Sequence, residues 1–182
     1  NFLNISKDQI FLIDDNSPSI QVETLFMSTP THINRSFVST QHSKIVKKLV
    51  KKLIITNSAH LHYSHDLGVK QGHYAGKLYI SRSKLSSNQR KLHKEHLLEK
   101  HLQALGWEIY HPQLHSLQSQ ISTYEASTFI CGSEGSAFHL LYAINTINIK
   151  RVILLSKKIR NNFTLQFKAQ KINYKAINCL II

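Results

Sequence analysis

Hydrophobic and polar positions follow two rhythms along this chain. Between residues 43 and 55, Ile45, Val46, Leu49, Val50, Leu53 and Ile54 recur at three- and four-residue spacing. Lys44, Lys47, Lys48, Lys51 and Lys52 fill the opposite stripe. That is the period of an amphipathic helix with a solvated basic face. Upstream, residues 9–14 form a short apolar run and residues 20–27 alternate apolar with polar, which predicts two strands. The Asp, Asn, Ser and Pro residues of 14–18 between them are turn formers.

Residues 56–76 show no period and read as irregular. From residue 77 the rhythm becomes regular. Strands are predicted at 77–81, 107–111, 127–131 and 151–156, with a last extended segment at 172–182. Helices are predicted at 88–105, 114–126, 137–144 and 161–169, and Gly106 caps the first of them. This alternation predicts an α/β fold with a Rossmann-like parallel sheet, helices on both faces and right-handed crossovers. The expected division is an N-terminal flank over 1–76, made of linker strands and the basic helix, and a Rossmann-like domain over 77–182.

Composition narrows the class. Apolar residues make up 42% of the 182, too many for a disordered basic tail, and with only six Gly and three Pro the chain is not collagen-like. No apolar run approaches the roughly 18 residues that span a bilayer. Lys and Arg number 23 against 10 Asp and Glu, a net charge of +13. Such a surface calls for an acidic partner: nucleic acid, an anionic membrane, a nucleotide-linked substrate or an acidic polymer. Cys131 and Cys179 sit in apolar runs and read as buried, reduced thiols. His60, His62, His65, Asp66 and His73 match no zinc-ligand spacing and read as solvated polar residues.

Ligands of open α/β sheets bind beyond the carboxyl ends of the strands. Two such ends carry suggestive residues. One is Ser81, Arg82, Ser83 and Lys84. The other is Gly132, Ser133, Glu134, Gly135 and Ser136, expected to leave a strand and open a helix. Glycines let a backbone approach a ligand closely, and free N–H groups at a helix start favour phosphate. Arg82 would add a charge-assisted contact to the same anion. The pattern is neither a P-loop nor a dinucleotide fingerprint, which need other spacings.

The order of these pieces resembles a known family. The sequence runs Tyr79-Ile80-Ser81-Arg82, then Arg90 with Glu95 five residues on, then the stretch from Leu97 to Ile109. His111-Pro112 follows, then residues 116–121 and the run from Cys131 to His139. This looks like the C-terminal half of glycosyltransferase family 61, best over residues 77–145. The resemblance implies a GT-B-like enzyme whose C-terminal half holds a nucleotide-sugar donor. Arg82, Arg90, Glu95, Gln120, Gly132, Ser133, Gly135 and Ser136 are then the candidate donor- and phosphate-binding residues. The chain departs from the family pattern at Glu134, where many relatives have His, and at Leu140, where they have Asn.

The implied reaction is displacement at the anomeric carbon by an acceptor hydroxyl, with His139 and Glu134 as candidate bases. His139 also reads as a histidine packed under the glycine turn. No Asp-x-Asp occurs, so no obligatory metal and no cofactor are expected; the nucleotide-sugar is a substrate. Expected partners are that donor, a glycan or lipid-linked glycan acceptor, and an anionic membrane touched by the lysine helix. The expected setting is the bacterial cytoplasm at the inner face of the membrane, in capsular or other surface-polysaccharide synthesis. The chain opens on Asn1 in a globular pattern, which leads to the expectation of a piece of a longer enzyme. Two competing readings are a basic module that binds nucleic acid or another polyanion, and a non-catalytic, degenerate transferase half. No recognised nucleic-acid motif is present.

Overall fold

The computed structural model describes residues 32–33, 36–60, 76–86, 92–156 and 160–179, with the side chains of 53–60 left aside. The strands expected at 9–14 and 20–27, the loop histidines from 62 to 73 and Arg90 lie outside the described residues.

A short antiparallel pair, β1 (His32–Ile33) and β2 (Phe37–Val38), precedes the long helix α1 (Thr40–His60). The order then runs β3 (Lys77–Ile80), α2 (Glu95–Ala104), β4 (Trp107–Tyr110), α3 (Leu117–Ala126), β5 (Phe129–Ser133), β6 (Arg151–Ser156), α4 (Asn161–Ala169) and β7 (Tyr174–Asn178). The last five strands form one parallel sheet in the order β4-β3-β5-β6-β7. The chain therefore steps from β3 to one side, returns across it to β5, and continues outward. This is the 2-1-3-4-5 winding of open α/β sheets, and its switch point lies between β3 and β5.

Burial on both faces explains why the central strands read as continuous apolar runs. Leu78, Ile80, Ile130, Val152 and Leu154 point to one face. There they pack with Ile121 and Tyr124 of α3, Phe163 and Phe167 of α4, and Phe138 and Leu141. Tyr79, Cys131 and Leu155 point to the other, against Leu98 and Leu102 of α2. Helix α1 joins the first core through Val50, and its Ser43 hydroxyl donates to the Tyr142 carbonyl at 3.0 Å. Both cysteines are free; Cys131 is buried, whereas Cys179 is only half-buried.

Several boundaries differ from expectation, each for a physical reason. Helix α1 continues to His60, taking in 56–60, which were read as irregular. Residues 88–91 of the helix expected at 88–105 lie outside the described residues; after them α2 begins at Glu95, because Lys94 before it is left-handed, with φ 52°. It ends as expected: Gly106 takes φ 77°, which costs glycine nothing. The helix expected at 114–126 is two pieces. Pro112 opens a 3₁₀ turn over Pro112–Leu114, and Ser116 then caps α3 by accepting from the Ser119 N–H at 3.2 Å.

Strand β5 runs two residues later than expected, so Gly132 and Ser133 pair with Leu154 and Leu155 instead of forming a turn. The segment expected as a helix over 137–144 is a 3₁₀ helix, Ser136–Tyr142. Within it Phe138 and Leu141 are fully buried at a spacing of three, which matches the 3₁₀ repeat. The β1–β2 pair was not foreseen, since strands of two residues carry no alternation.

Candidate functional site

The switch point is built from the carboxyl ends of β3 and β5. Beyond β3 the ladder gains one more bond, from the Ser81 N–H to the Tyr110 carbonyl at 2.8 Å. The chain then turns, and the Leu85 N–H donates back to the Arg82 carbonyl at 3.0 Å. Two carboxylates one helical turn apart on α2 hold this turn from behind. Glu95 is 3% exposed, and its Oε1 accepts from the Tyr79 hydroxyl at 2.9 Å and the Arg82 N–H at 3.0 Å. Burial, followed by the Glu95 charge, pushes the Tyr79 phenol far above its ordinary range, so Tyr79 remains a donor. Glu99 accepts from the Ser81 hydroxyl, which in turn accepts from the Ser83 N–H at 3.0 Å.

On β5, Gly132 stands opposite Ile80. A β-carbon there would lie 2.6 Å from the Ile80 carbonyl oxygen, so any side chain would wedge β3 and β5 apart at the switch point. Ser133 is buried as the last residue of β5. The Glu134 N–H extends the ladder by donating to the Leu155 carbonyl at 2.8 Å. Its carboxylate accepts from the Ser156 hydroxyl and pairs with Arg160 Nε at 3.1 Å. Gly135 is fully extended, and a β-carbon on it would run into Arg82 Nη1. The Arg82 guanidinium thus lies in the space that the missing side chain leaves. Ser136 follows, exposed, at the start of the 3₁₀ segment. That segment is seven residues of 3₁₀ geometry, not the α-helix whose dipole was expected to face a phosphate.

Arg82, Glu95, Gly132, Glu134 and Gly135 are therefore brought together. Ser133 and Ser136 flank them. Gln120 and His139 have other partners. Gln120 Nε2 donates to the Pro112 and His115 carbonyls at 2.9 and 3.0 Å, which fixes the turn behind β4. His139 stacks between Phe163, with ring centroids 4.9 Å apart, and Tyr142, at 6.2 Å. Its Nδ1 is 2.9 Å from Gln166 Oε1, while Gln166 Nε2 donates to the Phe138 carbonyl at 2.9 Å. A carbonyl can only accept, so the Gln166 amide oxygen must face His139. Nδ1 is then the donor to Gln166, and in the neutral ring the lone pair is on Nε2.

Sequence reasoning missed Tyr79, Ser156, Arg160 and His111. The available signal was position: Ser156 ends β6 and Arg160 follows a few residues later, at the same edge of the sheet. His111 follows β4 and is buried; burial, then the Lys84 charge, lowers its pKa. Among the described residues no three His, Cys, Asp or Glu side chains converge as a metal site, and no helix is long and apolar enough to cross a membrane.

A doubly wound parallel sheet with polar and charged side chains gathered at its switch point defines a class: open α/β proteins, whose ligands bind outside the carboxyl ends of the strands. The family model for Glycosyltransferase 61 matches residues 5–147, most of the chain, and the chain belongs to this glycosyltransferase family. It is thus a sugar-transferring enzyme with a sugar donor and an acceptor. No curated protein and no solved structure matches the chain. Strands β6 and β7 and helix α4, which complete the sheet, lie beyond the matched residues.

Proposed function

We propose that the β3–β5 switch point binds the diphosphate of a nucleotide-sugar, and that this sheet is the donor-binding half of a GT-B-like transferase. The observation that carries the reading is the Arg82 guanidinium lying over Gly135, braced through its backbone by Glu95. As the anomeric bond breaks, negative charge grows on the leaving diphosphate, and Arg82 offers fixed donors to it. The acceptor hydroxyl must lose a proton. His139 suits that role through its Nε2 lone pair. Glu134, engaged by Ser156 and Arg160, suits anchoring better than proton transfer. With no Asp-x-Asp in the chain, the reading assigns charge neutralisation to arginine and not to an obligatory metal.

The acceptor in this reading is a glycan or lipid-linked glycan of bacterial surface, including capsular, polysaccharide synthesis, extended at the cytoplasmic face of the membrane. The test is a thermal-shift panel of uridine, guanosine and cytidine diphosphates and their sugar conjugates. A ligand that binds only the folded state, at about 100 times its Kd, adds about 2.7 kcal/mol, a rise of roughly 5–10 °C. One nucleotide series is expected to give this rise. A flat panel would remove the donor-site reading.

Exposed Lys44, Lys48 and Lys51 on α1 support a peripheral contact with an anionic membrane. The protein is expected to co-sediment with vesicles containing acidic lipid at physiological salt and to stay in solution with neutral ones. Equal recovery from both would exclude the contact.

A further inference from the structure

Glu134 sets an electrostatic problem for the proposed site, because a carboxylate beside Gly135 repels a diphosphate. Two groups balance it. The Ser156 hydroxyl donates to Oε2, and Arg160 Nε lies 3.1 Å from Oε1. The carboxylate side chain is 11% exposed, while the Arg160 side chain is 41% exposed. Glu134 is thus sealed in. Arg160 is held beside the carboxylate as an ion pair, and its exposed guanidinium has further donors for a ligand.

Arg82 reaches the position that a Gly135 side chain would take, and Arg160 reaches the carboxylate of the preceding residue, Glu134. The two guanidinium groups therefore both stand against the 134–135 segment. One comes from β3; the other comes from the start of α4, beyond the residues that match the family.

We infer that Arg160 is a second anion-binding residue of this site, gripping the diphosphate from the β6–α4 side while Arg82 grips it from the β3 side. Glu134 and Ser156 are the positioning residues that aim it. The inference rests on the donor-binding reading above. It explains how a carboxylate is accommodated at the mouth of an anion site: the carboxylate holds the cation that faces the ligand. A planar guanidinium is well suited to bidentate contact with phosphate oxygens.

A double-mutant cycle separates direct contact from mere neutralisation of Glu134. The affinity for the nucleoside diphosphate that stabilises the wild type would be measured by titration calorimetry on the full chain. The variants are Arg160→Ala, Arg160→Lys, Glu134→Ala and the double Arg160→Ala/Glu134→Ala, with unliganded melting temperatures confirming that each folds. Arg160→Ala is expected to weaken binding tenfold or more, and Arg160→Lys less. The double variant is expected to stay weak, because removing the repulsion does not restore the lost contact. Wild-type affinity in the double variant, or in Arg160→Ala itself, would overturn the inference while leaving the donor site standing. If the wild type bound no nucleoside diphosphate at all, the donor-site reading itself would fall and take this inference with it.

Discussion

Arg82→Ala is expected to lower kcat/KM for sugar transfer at least a hundredfold and to leave the fold intact. The loss follows from chemistry: a charge-assisted hydrogen bond contributes about 1.5–3 kcal/mol, and more where charge develops in the transition state. The intact fold follows from geometry. Glu95 holds Arg82 by its backbone N–H, which alanine retains, so the turn after β3 persists. Gly135→Ala provides an independent arm. A methyl group there collides only with the flexible end of the Arg82 side chain, so it displaces the guanidinium without removing it. That variant is expected to lose activity roughly tenfold, about 1.4 kcal/mol, with its melting temperature nearly unchanged. Wild-type activity in Arg82→Ala would rule out this arginine as the diphosphate group.

Glu95→Ala is expected to strike stability and activity together. The Tyr79 hydroxyl is fully buried and donates to Glu95, as does the Arg82 N–H. Removing the acceptor leaves both donors unsatisfied, at a cost of about 1–3 kcal/mol for each that water cannot reach. Tyr79 cannot escape by ionising, since burial drives its pKa upward. A total near 3 kcal/mol lowers the melting temperature by roughly 6–12 °C for a domain of this size. Glu95→Gln keeps an acceptor oxygen and is expected to lose less than half as much. Thermal or urea unfolding of the two variants checks this. A loss below about 1 kcal/mol in the alanine variant would show that Glu95 braces nothing.

The sheet was legible because its strands are apolar on both faces and its helices carry their own start and stop chemistry. Gly106 marked the end of α2 correctly. The errors cluster where tertiary contact outweighs local pattern. Leu92 to Lys94 look helical in composition, yet a left-handed Lys94 fixes the start of α2 at Glu95, and no propensity predicts that conformation there. Residues 136–142 have helical composition, but a core that accepts every third side chain winds them as 3₁₀.

Among the candidate site residues, Arg82, Glu95 and Gly135 were named from strand-end position and family resemblance. Their arrangement was not, because which atom of Glu95 meets which donor depends on how α2 lies on the sheet. Arg160 escaped notice because it matches no motif; only the fold carries it to Glu134.

At Gly132 the two central strands meet backbone against β-carbon, with no side chain between them to yield. The floor of the crevice is therefore close to incompressible, and a donor cannot be accommodated by spreading the sheet. Adjustment to a different base or sugar must come from the rim, in the turns after β3 and β4 that α2 and Gln120 hold in place. Residues there can be exchanged without disturbing a strand pairing. If the proposed donor site is the right one, donor preference is thereby uncoupled from the pairing of the sheet, and substitutions in the rim turns are the route by which the same scaffold would take up another sugar.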